Sequence, residues 1–120
     1  MQSLIVNGGG LDNLKVDKRP DPTPSATEVS VRWHATSLNY HDYLVAVGGI
    51  PVANNRVPMS DGAGEIIAVG TDVNDWQVGD RVMSLFFPNW LEGKPTFIKM
   101  VGVSGETVDG YLTEQSCVAA

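Results

Sequence analysis

The sequence predicts one mostly β domain, and three of its features point to this fold class. The stretch Val57–Val82 contains two short apolar runs, Glu65–Val69 and Asp80–Met83, and a glycine-containing turn opens each of them. This punctuation is typical of β-strands joined by tight connections. Glu28–Ala35 alternates apolar and polar residues, as a half-buried strand does. Tyr40–Val47 is the clearest helical pattern, so we expect a mostly β chain with one or two short helices.

The composition limits the size and the partners of the protein. With 120 residues, the chain is long enough for one domain and too short for two of ordinary size. A formal net charge of −6 argues against a nucleic-acid partner, because a phosphate backbone would be repelled. No apolar run is long enough to cross a bilayer, and Met1–Asn7 lacks the features of a signal peptide. We therefore expect a cytoplasmic protein without a membrane partner.

The first part of the chain predicts two short strands. Gln2–Val6 is rich in β-forming residues, and Leu14–Asp17 forms a second short run. Asn7–Gly10 between them is predicted to be a turn. A phosphate-binding loop is the alternative, but Leu11–Asn13 does not open the apolar helix that a dinucleotide fingerprint requires. Three prolines, at positions 20, 22 and 24, then predict an extended connection outside any sheet.

The strand at Glu28–Ala35 has two distinct faces. Its alternation places apolar residues on one face and polar residues on the other: Val29, Val31, Trp33 and Ala35 against Ser30, Arg32 and His34. We therefore expect His34 to be a surface histidine without a functional role.

A short helix is predicted directly after this strand. Tyr40, Tyr43, Leu44 and Val47 recur at the spacing of an apolar helical stripe. Asn39 is well placed to cap the helix, and Asp42 in the first turn is favoured by the helix dipole. Gly48-Gly49 is expected to end it.

The last third of the chain combines a long connection with a final strand. Ser84–Asp109 is rich in aromatic and turn residues and contains a short helix candidate at Thr96–Val101. A loop of this length inside a domain is usually functional or flexible. Tyr111–Ala119 is predicted to be the last strand. Its Cys117, the single cysteine, cannot form an internal disulfide, and we expect it to be a small buried residue rather than a nucleophile.

A combined motif sharpens this prediction into a family resemblance. The pattern S-D-G-A-G-E-I-I-A-V-G followed by W-x-x-G-D-R-V resembles the N-terminal, GroES-like domain of the medium-chain dehydrogenase/reductase superfamily. Within it, the chain is similar to the zinc-independent, quinone-oxidoreductase-like and alcohol-dehydrogenase-like branch. The resemblance implies a GroES-like, partly open β-barrel. Gly64, inside the motif, is expected where the strand approaches another backbone, because glycine has no Cβ.

The resemblance also implies that the catalytic zinc site of the zinc-dependent branch is lost. In that branch a cysteine precedes the short helix and a His-Glu pair precedes the glycine-rich strand. These positions correspond to Asn39 and to Ser60-Asp61 here. Zinc prefers thiolate and imidazole ligands, and these three residues supply only amide and oxygen groups. We therefore expect no metal, and a metal-binding module is nearly excluded by the shortage of ligands.

The substrate and cofactor cleft is expected around the start of the predicted helix. Asn39 and Tyr40 are candidates by resemblance to quinone-oxidoreductase-like enzymes, Asp61 is a further candidate, and Phe86 and Trp90 are expected to form an apolar wall of the substrate pocket. The alternatives are that Asn39 is only a helix cap, Tyr40 a core aromatic, and the other aromatic residues ordinary packing. His41 aligns with the hydroxyl that relays a proton in zinc relatives, and imidazole titrates near neutrality. It is a candidate proton donor, or else a surface histidine.

By resemblance, a Rossmann cofactor domain should follow this domain, and none is present in residues 1–120. We expect the complete protein to be an oxidoreductase that uses NAD(P)H on a small aldehyde, alcohol, enone or quinone. The chain alone should be inactive, bind no cofactor and tend to self-associate. The rival hypothesis is a stand-alone GroES-like binding or assembly module, because a fold does not fix a function.

Overall fold

Two antiparallel sheets and two short helices make up the fold, in a computed structural model that describes all of residues 1–120. The strands are β1 (Gln2–Val6), β2 (Leu14–Lys18), β3 (Glu28–Ala35), β4 (Ala63–Val69), β5 (Arg81–Met83) and β6 (Gln115–Ala119). The helices are α1 (Tyr40–Val47) and α2 (Phe97–Met100). Neither helix has the length and the apolar composition that crossing a membrane requires. The predicted mostly β class and the short helices are confirmed.

The larger sheet has the strand order β5-β4-β3-β6, and the smaller sheet pairs β1 with β2. β3 therefore lies between two neighbours. Val29 faces Val69 of β4 on one side and Val118 of β6 on the other. Val29, Val31 and Ile66 form the buried centre of the sheet, so the core lies over the middle of β3 and β4.

The segment before β6 connects the two sheets without merging them. Leu4 donates its backbone N–H to the Leu112 carbonyl at 2.9 Å, and Trp33 of β3 donates to the Glu114 carbonyl at 3.0 Å. Tyr111 and Leu112 donate to the carbonyls of Met59 and Pro58. The predicted strand at Tyr111–Ala119 was therefore too long, because its first residues pair with the 58–59 segment instead of β3. The sheets do not close on each other, as expected for a partly open barrel.

Gly64 lies where β4 passes closest to β3. A Cβ placed on it would collide with the Arg32 backbone carbonyl, so the predicted close approach is confirmed. The glycine loop 8–10 also packs tightly: a Cβ on Gly9 would meet the Gly48 backbone at the end of α1, and Gly10 donates its N–H to the Ala46 carbonyl at 2.8 Å. The loop is a turn packed on a helix, followed by a single 3-10 turn at Leu11–Asn13.

Helix α1 begins and ends as predicted, but it buries a different face. Gly48 ends it with φ 87°, a conformation that glycine adopts at little cost. The residues buried from α1 are Asp42 and Val45, whereas Tyr40 is 75% exposed and Tyr43 is also exposed. The prediction that the tyrosines belong to the buried face was wrong. The buried face instead contains Asp42, because its carboxylate accepts hydrogen bonds from the backbone N–H groups of Asn39 and Ser60.

The alternation along β3 is only partly as predicted. His34 is exposed, as expected, but Ser30 is buried and Ala35 is exposed. Ser30 has Ala68 and Cys117 as cross-strand neighbours, and register shifts follow Ser30 and Trp33. Burial is therefore set by the flanking strands as well as by the pleat. Cys117 is partly buried, and this burial, with Glu28 nearby, raises the pKa of its thiol, which disfavours a nucleophilic role.

The long connection Ser84–Asp109 carries α2, where Thr96 caps the helix by accepting from the Lys99 N–H. The predicted helix at this position is confirmed. Its apolar side chains are nevertheless exposed, with Phe97 at 85%.

Candidate functional site

The buried carboxylate of Asp42 organises the residues at the start of α1. The residue is 1% exposed. Its Oδ1 accepts the backbone N–H of Ser60 at 2.8 Å, and its Oδ2 accepts the N–H of Asn39 at 2.9 Å. The second bond closes the first helical turn, as the acidic residue of a capping box does. The first bond fixes the 59–61 segment against the helix.

The backbone of Met59 directs Ser60 towards this carboxylate. Met59 has φ 79°, a conformation that is uncommon for residues other than glycine. Gly105 and Gly110 pack against its backbone, where a Cβ on either would collide. The surrounding structure therefore holds a strained residue next to the candidate site.

Asn39, Ser60 and Asp61 form one hydrogen-bonded cluster. The Asn39 side-chain amide donates from Nδ2 to Ser60 Oγ at 3.2 Å and to Asp61 Oδ2 at 3.0 Å. Asp61 also accepts the Ser37 N–H at 3.0 Å and the Ser37 hydroxyl at 2.9 Å. Burial acts to raise the pKa of Asp61, but the hydrogen bonds from Asn39 and Ser37 outweigh it and hold the pKa below its ordinary value. Asp61 is therefore an ionised acceptor.

His41 lies between two carboxylates, those of Asp42 and Glu106. Its Nδ1 is 3.4 Å from Asp42 Oδ1, and its Nε2 is 2.9 Å from Glu106 Oε2. Phe86 meets the imidazole edge to face, with ring centroids 5.4 Å apart. The His41 side chain is 17% exposed, so it is not the ordinary surface histidine of the alternative hypothesis.

The aromatic candidates separate into two groups. Phe86 contacts Phe87 at a centroid distance of 4.7 Å, and Phe87 contacts Trp90 at 6.0 Å. This row begins at His41 and leads away from it, with Trp90 at its far end. Tyr40 instead stacks on Tyr43 at the surface. The structure thus brings together Asn39, Asp61, His41 and Phe86 around Asp42, and leaves Tyr40 and Trp90 at the periphery.

Comparison with known proteins identifies the domain type. The sequence profile described as the alcohol dehydrogenase GroES-like domain matches residues 25–120. The chain belongs to this family. The predicted membership of the medium-chain dehydrogenase/reductase superfamily is confirmed by this match and by the relatives of the GroES-like domain.

Three relatives show the range of the family. The chain is 38% identical over 114 residues to a zinc-type alcohol dehydrogenase-like protein of Schizosaccharomyces pombe, covering 92% of this chain and 33% of that protein. It is 37% identical over 91 residues to a chloroplast envelope quinone oxidoreductase homolog of Arabidopsis thaliana, covering 71% and 28%. A candidate alcohol dehydrogenase of Sinorhizobium meliloti 1021 matches in structure with a TM-score of 0.86 and 34% identity, covering 98% and 36%. The GroES-like chain spans about a third of the length of these relatives.

The donor set of this GroES-like domain does not fit the catalytic zinc of the zinc-dependent branch. Asn39, Ser60 and Asp61, which the family resemblance assigns to the ligand positions, supply neither thiolate nor imidazole, the ligands that zinc prefers. Their polar atoms are already engaged with one another and with Ser37. No cluster of three or more His, Cys, Asp or Glu side chains in the structure could hold a metal ion.

Of the parts of a nicotinamide cofactor, only the nicotinamide ring has candidate neighbours in residues 1–120. Phe86 offers an apolar ring beside His41, whereas the Asn39 amide already donates to Ser60 and Asp61. The pyrophosphate finds no matching cradle in the glycine loop 8–10, because that loop is packed on the end of α1.

Sequence reasoning missed two residues of the site. Asp42 was expected only to favour the helix dipole, and Glu106 was not considered. Glu106 is 65 residues from His41 in sequence, and nothing local to either residue reports the contact. The signal available for Asp42 was its spacing, three residues after a capping Asn39, which predicts an inward bond to the cap.

Proposed function

We propose that this GroES-like domain is the substrate side of a zinc-independent, NAD(P)H-dependent oxidoreductase that acts on a small aldehyde, alcohol, enone or quinone. In the complete protein a Rossmann domain would bind the cofactor. The observation that carries the proposal is the hydrogen-bonded cluster of Asn39, Ser60 and Asp61. The family resemblance assigns these residues to the positions of zinc ligands, and they hydrogen-bond to one another and to Ser37 instead of offering thiolate or imidazole.

The chemistry left to this domain is positioning and proton supply. Bound NAD(P)H supplies a hydride, and reduction of a carbonyl or an enone is completed by one proton. His41 is the imidazole beside the cluster, and imidazole exchanges protons near neutral pH. Phe86 packs against it and provides an apolar surface that limits water at the reacting group. Asn39 and Asp61 hold the polar edge of the cleft.

The test is an assay of the complete protein for NADH and NADPH oxidation with an aldehyde, an enone and a quinone, with and without chelator. We expect turnover that is insensitive to the chelator and a zinc content well below one equivalent. Stoichiometric zinc whose removal abolishes activity would overturn the zinc-independent assignment. No turnover with any substrate would favour the rival binding or assembly module.

A histidine pair provides the matched variants. His41→Gln should lower kcat about 100-fold or more, the usual contribution of a general acid. His34→Gln removes an exposed imidazole from β3 and should leave kcat unchanged. Equal activity of the two variants would remove His41 from the mechanism.

A further inference from the structure

We infer that Glu106 is a positioning residue that fixes the orientation and the tautomer of His41, with the proton of the neutral ring on Nε2. The inference rests on the proposed role of His41 as proton donor. It adds a residue from the 103–108 turn to a site otherwise built from Asn39, α1, the 59–61 segment and Phe86.

The two contacts of the imidazole are unequal. Glu106 Oε2 lies 2.9 Å from Nε2, whereas Asp42 Oδ1 lies 3.4 Å from Nδ1. A distance of 2.9 Å is typical of a well-formed N–H···O bond, and 3.4 Å is beyond that range. The short contact requires a proton on Nε2, because a carboxylate only accepts. A neutral His41 therefore carries its proton on Nε2.

The remaining nitrogen is the less firmly held one. Asp42 Oδ1 already accepts the Ser60 N–H at 2.8 Å, so its contact with Nδ1 is a secondary one. Nδ1 thus lies on the side of the ring that faces the Asp42 and Ser60 junction, while Nε2 is anchored to Glu106.

The turn that carries Glu106 is itself well defined. Gly105 has φ 81° and donates its N–H to the Val108 carbonyl at 2.9 Å, and the Thr107 N–H bonds to the Val103 carbonyl at 3.1 Å. The Glu106 side chain is 34% exposed, against 17% for His41 and 1% for Asp42. The turn therefore presents a fixed carboxylate to the ring from its more solvent-exposed side.

The chain contains only two histidines, so nitrogen NMR can test this directly. In the 15N-labelled chain at about pH 8, where a free imidazole is neutral, His41 should show a protonated Nε2 with a slowly exchanging proton. The exposed His34 is the internal control and should show the averaged shifts of a mobile ring.

Three variants separate the contact from the fold of the turn. Glu106→Ala should remove the slow Nε2 proton and move the His41 shifts towards those of His34. Glu106→Gln keeps a side-chain carbonyl acceptor and should retain the Nε2–H tautomer. Thr107→Ala loosens the same turn, by removing a hydroxyl bond to Val103, without touching the ring, and should leave His41 unchanged. His41 shifts that already resemble those of His34 in the unchanged chain, or that survive Glu106→Ala, would overturn the inference.

Kinetics of the complete protein distinguish this inference from the proposed function. Glu106→Ala should lower kcat about 10- to 100-fold, as expected for a misplaced catalytic group, with little change in KM. If His41→Gln is inactive while the NMR test fails, the proposed function stands and the role of Glu106 is wrong. If His41→Gln is fully active, the proton-donor role is wrong, and Glu106 loses its part in the reaction even where the NMR contact is present.

Discussion

The hydrogen bonds that Asp61 accepts set the pKa of its carboxyl group. The lowered pKa of Asp61, caused by donors on Asn39 and Ser37 that overcome its burial, means that the unfolded chain takes up this proton at a higher pH than the folded chain. The contribution of the carboxylate to stability is therefore present above the ordinary aspartate value and lost as the pH falls through the lower folded value.

This argument predicts the pH dependence of Asp61→Asn. The variant should be less stable than the unchanged chain at neutral pH, and the difference should shrink below about pH 4, where the unfolded carboxyl is protonated. Urea midpoints at several pH values measure it. Asp75→Asn, at an exposed position, is the control and should follow the unchanged chain. A difference for Asp61→Asn that is constant with pH would contradict the argument.

Gly64 gives a prediction of steric origin. A Cβ at this position collides with the Arg32 carbonyl, so Gly64→Val should lower the free energy of unfolding by about 1–3 kcal/mol through strain or overpacking. Ala63→Val, one residue earlier on the exposed side of β4, should cost much less. Coincident urea midpoints for Gly64→Val and the unchanged chain would show that a side chain at this position has no steric cost.

The residues that could be predicted from the sequence have local reasons for their identity. Asn39 caps the helix that follows it, and Gly48 adopts the positive φ that ends the same helix. Asp61 came from the family resemblance, and Phe86 from the aromatic residues of the long connection Ser84–Asp109. Glu106 could not be predicted, because its partner lies 65 positions away and only the fold brings the two together.

At the scale of elements, helix α1 shows why an apolar pattern can point to the wrong face. Tyrosine counts as apolar in the pattern, yet its ring tolerates water through its hydroxyl group. The Asp42 carboxylate points inward because it accepts hydrogen bonds there from the backbone N–H groups of Ser60 and Asn39. The hydrogen bonds of a buried carboxylate thus decide which face of the helix is buried, and a hydrophobic pattern does not take them into account.

The observed rotation of α1 predicts a large loss of stability for one substitution in the helix and a small change for another. Val45→Ala should lower the free energy of unfolding by about 2 kcal/mol, because Val45 is buried and its methyl groups leave a cavity. Tyr40→Ser should change it by less than about 0.5 kcal/mol, as is usual for exposed residues. Chemical denaturation measures both. A larger loss for Tyr40→Ser would restore the stripe that the sequence predicted.

Strand bounds were predictable where pairing follows the local pattern, as in β1 and β3. They failed at the start of β6. Gly110 and Tyr111 donate to the carbonyls of Val57 and Met59, and this distant pairing leaves no mark on the local sequence.

On the scale of the whole molecule, the exposed apolar side chains and open sheet edges favour self-association. The large exposed apolar residues between positions 83 and 98 of the sequence are Met83, Leu85, Leu91, Phe97 and Ile98. β5 and β6 form the outer edges of the larger sheet, and unpaired edges bind other strands. We expect light scattering to show dimers or larger species at moderate concentration.

A surface variant tests the source of this association. Phe97→Lys combined with Ile98→Lys should reduce it, because two exposed apolar groups become charged. Leu11→Lys changes an exposed apolar residue elsewhere and should have little effect. A chain that stays monomeric without any substitution would contradict the expectation.

The same chain is expected to bind no NAD(P)H by itself. Its glycine loop is packed on α1, and a pyrophosphate needs free backbone N–H groups at a helix N-terminus in a βαβ unit. Fluorescence titration of the cofactor measures this. Saturable binding in the micromolar range would place the cofactor site within residues 1–120.

The pairing of the first and third strands with residues 113–119 has a consequence for the order of events during synthesis. Ser3 forms a bridge with Thr113, and residues 28–32 of β3 pair with β6. Contacts between residues so far apart in sequence must wait for the loop between them to close, which slows folding. Until residues 113–119 have been synthesised, β3 therefore keeps one edge open, and Ser3 lacks its bridge partner Thr113.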